Sequence, residues 1–329
     1  MQSLPIEAQL DVLKCLNFDQ IFSVKQINFY FKNLINKYEG ELARNNFVEL
    51  SLIYFDDIEL YLCKIIEPES GLFEFNLNDQ LKKKWQTAID ESIPLYLHEY
   101  TYTNTKYVVC LDKKDEEPNY ILELPNFPKN IEEMIIVRCW MEHLFKCAFY
   151  SADFENAFNP EMINLLFDND KSIPLQFHIH NSFMLARNVR FGKLIGFTLN
   201  HSAISERLCI DFKGALRVPQ YFDCLMDLLI NEGNKLPQVC LGNFVSFGVI
   251  ILHDLIINHI KTSRNLSKMV ASICLLYSLR SIASNEGKKL GLEQFKNLEN
   301  NEFQIVNIHD PSLKFSFENL NGFTFIKKM

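Results

Sequence analysis

"INLLFDNDKSIP" (residues 163–174) aligns without gaps on "MDLLINEGNKLP" (226–237). Each copy reads as an apolar helix end, a polar turn, one aliphatic residue and a proline, followed by an apolar strand. Proline cannot continue a helix, so it marks the passage from turn to strand. Two further copies lack the proline. "FTLNHSAISERLCIDF" (197–212) ends in a strand near Leu208, and "LIINHIKTSRNLSKMVASICL" (255–275) in one near Val270. Strands entered near 175, 207, 238 and 270 give a period of roughly 32 residues, and "MIIVRCW" (134–140) reads as an earlier strand at looser spacing.

A helix–strand unit of this length cannot bury its apolar face alone. Stacked copies can, with right-handed crossovers, parallel strands and helices on one side. The expectation for residues 129–288 is therefore an irregular αβ repeat, similar to a leucine-rich-repeat solenoid although the LxxLxLxxN signature is absent. A compact α/β layer is the alternative. Past Lys288, "EFQIVNIHD", "LKFSFEN" and "FTFIKKM" alternate as antiparallel strands do, with Asn321-Gly322 as a turn. Residues 289–329 are expected to cap the open edge of the sheet. Upstream, residues 47–128 read as a mixed α/β region with a helix around Gln80–Ile89 and strands in "IPLYLHEY" (93–100), "KYVVCLD" (106–112) and "YILEL" (120–124). The fold class is α+β or α/β.

The composition bounds the chemistry. The 33 Lys and Arg are outnumbered by 41 Asp and Glu, a net charge of −8. Phosphate backbones select for clustered positive charge, so no nucleic-acid partner is expected. Nine scattered cysteines without a CxxC pair point to a reducing compartment, cytoplasmic or nuclear. The longest uncharged stretch near the middle, Leu236 to Leu252, holds Pro237, Gln238, Gly242 and Asn243. It reads as a buried strand and the start of a helix, and no membrane partner is expected.

The N-terminus carries the functional signal. In "LPIEAQLDVLKCLNFDQIFSVKQINFYF" (4–31), Ile6, Leu10, Val12, Leu13 and Leu16 fall within an arc of roughly 160° on a helix. Ile21, Val24, Ile27, Phe31, Leu34 and Ile35 share an arc of about 140° on a second helix. Pro5 suits the first turn of the first helix and Asp19 the cap of the second. Residues 1–46 thus form a small helical unit with more apolar surface than its own size can bury.

Leu4-Pro5, Glu7, Val12-Leu13, Leu16, Ile21, Val24, Ile27 and Phe31 resemble the F-box pattern in order and spacing. The chain looks most like nematode F-box proteins. Phe31 stands where many members carry tryptophan, and Asn28 where a basic residue is common. The resemblance implies a non-catalytic substrate receptor of a Skp–cullin–F-box ubiquitin ligase. Its box would bind a Skp-family adaptor, and through it a cullin, using Leu4, Pro5, Leu10, Leu13, Leu16, Ile21, Val24, Ile27 and Phe31. The repeat region would hold an unknown protein substrate. An F-box scaffold outside any ligase is the alternative, and an α/β ligand-binding protein or enzyme with an incidental helical N-terminus is a further one.

Strand parity selects the candidate substrate residues. If Leu175, Phe177 and Ile179 face the helices, then Gln176, His178 and His180 face outward, with Asp211 and Gln238 on neighbouring strands. His178-x-His180 puts two rings on one side, but no third ligand of matching spacing follows, so no metal is expected. Asp168-Asn169-Asp170 begins like a calcium loop but has Ile173 where glycine is needed and Ile179 where glutamate is. His143 and Cys147 stand four apart on an apolar helix, a spacing that reads as packing. No GxGxxG, GxxxxGK[ST] or GxSxG occurs. Neither a catalytic residue nor a cofactor is expected.

Overall fold

The computed structural model describes residues 4–16, 18–38, 42–60, 62–66, 75, 77–97, 106–113, 118–154, 156–168, 170, 173–186, 191–213, 221–244, 246–277, 302–320 and 323–329. The architecture is mixed α+β. Among the described residues no helix is long and apolar enough to cross a membrane. The chain divides into two compact units. One takes residues 1–95, 106–150 and 161–178; the other takes 96–105, 151–160 and 179–329.

The first unit opens with α1 (Ile6–Lys14), α2 (Phe18–Ile27) and α3 (Phe29–Lys37). The apolar arc from Ile21 to Ile35 predicts one continuous helix, but the chain breaks at Asn28. Its backbone is extended and its side-chain oxygen accepts the Phe31 amide at 3.0 Å, which starts a new helix. An asparagine cap supplies an orphan amide with a partner, and here that outweighs the continuing apolar period. Asp19 lies inside α2, which begins at Phe18, one residue before the position the sequence predicts for the cap; Asn17 falls outside the described residues. Leu13, Ile21, Phe31, Leu34, Ile35 and Leu42 close a shared core, with Leu16, Val24 and Tyr38 packed against it.

The unit continues with β1 (Asn45–Tyr54), a 3-10 turn over Phe55–Leu60, β2 (Cys63–Ile66), α4 (Asp79–Asp90), β3 (Tyr107–Asp112) and β4 (Asn119–Leu122). These strands lie in the order β1-β3-β4-β2. The pairs β1–β3 and β3–β4 are antiparallel, and β2–β4 is parallel. Tyr107 to Leu111 are all buried, which explains why β3 reads as an apolar run without alternation. On α4, Leu81, Trp85 and Ala88 recur at helical spacing and are buried. The Trp85 indole N–H reaches the Leu165 carbonyl at 2.9 Å. The strand expected in "IPLYLHEY" reduces to a single bridge at Tyr96, and His98–Tyr100 lie outside the described residues.

The "MIIVRCW" segment is helical, not a strand. It forms the middle of α5 (Ile131–Phe145). Asn130 accepts the Glu133 amide at 2.9 Å, and the Glu133 carboxylate reaches back to the Lys129 amide at 2.7 Å. A continuous apolar run does not distinguish a strand from a buried helix by itself. The reciprocal cap decides for the helix. β5 (Cys147–Asp153), α6 (Pro160–Phe167) and β6 (Phe177–Leu185) follow, and each spans residues of both units.

The second unit alternates α7 (Phe191–His201), β7 (Ser202–Asp211), α8 (Phe222–Asn231), β8 (Gln238–Phe244), α9 (Ser246–Thr262) and β9 (Ser272–Tyr277). It ends with β10 (Glu302–Val306), β11 (Lys314–Leu320) and β12 (Phe323–Lys328). The strand order is β6-β7-β8-β9-β12-β11-β10. The pairs β7–β8 and β8–β9 are parallel. Side-chain bonds from His180 to Ser205 and from Arg207 to Asn181, with a backbone bond from Ala186 to Asp211, advance in step along β6 and β7, so these also run the same way. The strands start at 177, 202, 238 and 272, less evenly than a fixed period predicts. β10, β11 and β12 form an antiparallel meander whose last strand pairs with β9. The Asn321-Gly322 turn lies outside the described residues.

One buried amide ties this meander to α9. Asn307, just after β10, donates to the carbonyls of Ile260 and Ser263 at 2.7 and 2.8 Å. Its oxygen accepts the amides of His309 and Asp310 at 2.8 and 2.9 Å. Two donors and two acceptor sites are all used, so the burial leaves nothing unpaired.

Candidate functional site

The box residues separate into two sets. Leu13, Ile21 and Phe31 are buried in the helices' own core, and Leu16 and Val24 pack against it. Leu10 is half-buried. Leu4, Pro5 and Ile27 are exposed, Ile27 to 65%. Ile6, Val12, Phe29 and Tyr30 are exposed beside them, Phe29 to 74%. The Tyr30 hydroxyl and the Leu4 carbonyl are both held by the Gln9 side chain, at 3.0 and 2.7 Å. Gln9 is itself buried, so this polar pin fixes the start of α1 against α3. Sequence reasoning did not separate core from surface here, because one apolar arc served both.

On β6 the expected alternation is present. Phe177 and Ile179 are buried, and His178 and His180 are more accessible. Leu175 and Gln176 precede the strand and are both half-buried. His180 is 44% exposed at its side chain and lies against the Glu206 carboxylate at 2.7 Å, with its Nδ1 at 2.9 Å from the Ser205 hydroxyl. His178 differs in kind. Its Nε2 is buried without a hydrogen-bond partner, and burial, helped by the Arg44 charge, lowers its pKa to about 4. A ring held neutral in this way takes no part in charge recognition near neutral pH. Gln176 and His178 belong to the first unit, and His180, Asp211 and Gln238 to the second.

Asp211 and Gln238 line one groove of about 530 Å³ in the second unit, four positions apart along the strands. The parallel register stacks its floor in rungs. Arg207 pairs with Gln238 and Gln238 with Ser272; Cys209 pairs with Cys240 and Cys240 with Cys274. Leu208, Ile210, Val239, Leu241, Ile273 and Leu275 point the other way and are buried. Asp211 accepts from the Asn243 side chain at 2.9 Å and from the Lys213 amide at 2.7 Å. Asn243 has φ of 55°, a left-handed conformation that asparagine tolerates, at the register irregularity between Leu241 and Phe244 of β8. Phe183, Phe323 and Phe325 form apolar walls. The sequence does contain the signal for the cysteine rung. "RLCID", "QVCLG" and "SICLL" (207–211, 238–242, 272–276) place cysteine third in three strands of the repeat.

The remaining constellations are structural. Asp168 is paired to Lys84, and Asp170 to Arg138 at 3.1 Å, so these carboxylates hold a turn. The Cys147 thiol donates to the His143 carbonyl at 3.2 Å, and burial raises its pKa to about 12, far from an activated nucleophile. Among the described residues no group of three or more His, Cys, Asp or Glu could hold a metal ion.

A family profile described as a domain of unknown function, DUF8381, matches residues 66–213. No curated protein and no solved structure matches the chain.

Proposed function

We propose that this chain is a non-catalytic substrate receptor of a Skp–cullin–F-box ubiquitin ligase. The observation that carries the reading is the set of apolar side chains left exposed on α1–α3, the helices that hold the F-box-like pattern. Leu4, Ile6, Val12, Ile27 and Phe29 remain in solvent over a completed core, and exposed apolar patches of this kind mark protein-binding surfaces. The adaptor would take these side chains, while Leu13, Ile21 and Phe31 maintain the helices that present them. A substrate would be held by the αβ repeat of the second unit, read as solenoid-like with β10–β12 as its cap. Its work is positioning: it raises the local concentration of substrate lysines at the ligase, whose chemistry belongs to other subunits.

The test is capture of a purified Skp-type adaptor by the full chain. Ile27→Asp with Phe29→Asp should leave the fold intact and abolish capture, whereas Leu13→Asp should unfold the helices themselves. Undiminished capture by a folded Ile27→Asp/Phe29→Asp protein would overturn the reading.

A further inference from the structure

The cysteine rung of the second unit is not used by the proposed receptor function, and its geometry is unusual for thiols that merely fill space. Three cysteines from three adjacent parallel strands stand side by side, Cys209 beside Cys240 and Cys240 beside Cys274. The antiparallel pairing of β9 with β12 extends the same rung to Phe325. Neighbouring strands lie about 4.8 Å apart, so adjacent side chains in one rung are in contact range. The thiols form the floor of the groove that Phe183, Phe323 and Phe325 wall. Cys209 and Cys240 are half-exposed there, and Cys274 is buried. The groove therefore offers a sulfur nucleophile at the bottom of an apolar slot large enough for a small organic molecule.

We infer that Cys240 is a covalent modification site for apolar α,β-unsaturated carbonyl compounds. The thiolate of Cys240 attacks the β-carbon of the electrophile, forming a carbon–sulfur bond. The displaced π pair moves to the α-carbon, which takes a proton from water, and the product is a saturated thioether. No oxidant or leaving group is required.

The central position in the rung selects Cys240. Its thiolate can accept an S–H from Cys209 on one side and from Cys274 on the other, and these two bonds favour ionisation at the centre. The flanking thiols are held in their protonated form by the same bonds and by burial. Three interacting thiols lose protons in steps that belong to the set, so the first ionisation comes below the ordinary thiol range and the later ones above it. The Arg207 guanidinium adds to the stabilisation of the central thiolate, against the opposing effect of burial. The other charged groups lining the groove are Asp153 and Asp211; Glu206, paired to Arg207 at 3.1 Å, raises the pKa of the flanking Cys209, and Lys327 of β12 lies in register with Ser272. Its place at the centre of the rung and the apolar walls of the groove distinguish this thiol from Cys15, which is exposed just after α1.

The test uses the intact chain and a limiting amount of N-ethylmaleimide at about pH 6, followed by peptide mapping of the adducts by mass spectrometry. Cys240 should be labelled faster than exposed Cys15 by about tenfold or more, because its lowered ionisation supplies more of the reactive thiolate at that pH. Its rate should also fall less steeply with decreasing pH than that of Cys15. Labelling of Cys15 ahead of Cys240, or parallel pH profiles, would overturn the assignment. Cys209→Ala and Cys274→Ala, made singly so that one neighbour remains, should each slow Cys240 at this pH while leaving Cys15 unchanged. An unaltered Cys240 rate in both variants would refute the role of the rung. A longer apolar enone should favour Cys240 over Cys15 more strongly than N-ethylmaleimide does, and equal selectivity would refute the role of the aromatic walls.

Discussion

The two aligned turns, 163–174 and 226–237, end the same kind of helix with different physics. In the first, Asp170 takes the Arg138 guanidinium, and Asp168 takes Lys84. Arg138 is buried, donates to the Leu166 carbonyl at 2.8 Å, and lies between the rings of Phe75 and Phe167 at 4.4 and 4.5 Å. The turn is clamped by charge. In the second, Gly233 occupies the position aligned with Asp170, and the ion pair of the turn is the local one between Lys235 and Glu232 at 3.1 Å, with Lys235 half-exposed. The Gly233 amide donates to the Lys268 carbonyl at 2.8 Å, and a Cβ there would collide with the Met269 carbonyl oxygen. This turn is held by close backbone approach. One sequence pattern therefore specifies a turn without specifying what secures it.

The comparison predicts a graded set of losses. Arg138→Ala should cost about 3 kcal/mol in denaturant unfolding, the low end for breaking a buried pair because Asp170 is a third exposed. A loss under about 1 kcal/mol would mean the clamp is only decorative. Gly233→Ala should cost about 2 kcal/mol, since the obstructing atom is backbone and cannot swing aside. Asp170→Asn keeps an acceptor but removes the charge, and about 1 kcal/mol should be lost. Lys84→Ala should cost least, about 0.5 kcal/mol, because the Lys84 side chain is 41% exposed and solvent screens the pair.

A separate effect is a pH dependence in the strand that the first turn leads into. His178 has a folded pKa of about 4 against 6.5 unfolded. Below 6.5 the unfolded chain binds the proton and the folded one does not, so the contribution of the neutral ring is complete above pH 6.5 and lost as pH falls toward 4. His178→Gln should flatten unfolding midpoints over that window. An unchanged slope would show that the ring titrates normally in the folded protein.

What the sequence disclosed follows from the range of the interactions involved. The helix–strand alternation of the second unit and the meander of β10–β12 were legible because apolar period and turn residues are local. The helix of "MIIVRCW" was not, because the run itself is featureless and the decision rests on Asn130 and Glu133 outside it. The break at Asn28 was missed for the converse reason, since a persistent apolar arc masked one capping side chain. In the site, strand parity placed Asp211 and Gln238 on an accessible face. It could not show that His178 is desolvated by its surroundings while His180 is matched to Glu206 across a strand boundary. Register between strands is a tertiary quantity, so the cysteine that recurs in three strands of the repeat is legible in the sequence, but that the three stand side by side is not.

Asn307 makes the end of α9 and the turn after β10 share a single side chain whose four hydrogen bonds are all satisfied. Neither segment can open without orphaning bonds in the other. Amide protons at the end of α9 and around His309–Asp310 should therefore exchange with solvent as one cooperative group with a common opening free energy. Separated by some 45 residues in sequence, they would behave as a single kinetic element, and the C-terminal meander would share the lifetime of the helix it is tied to.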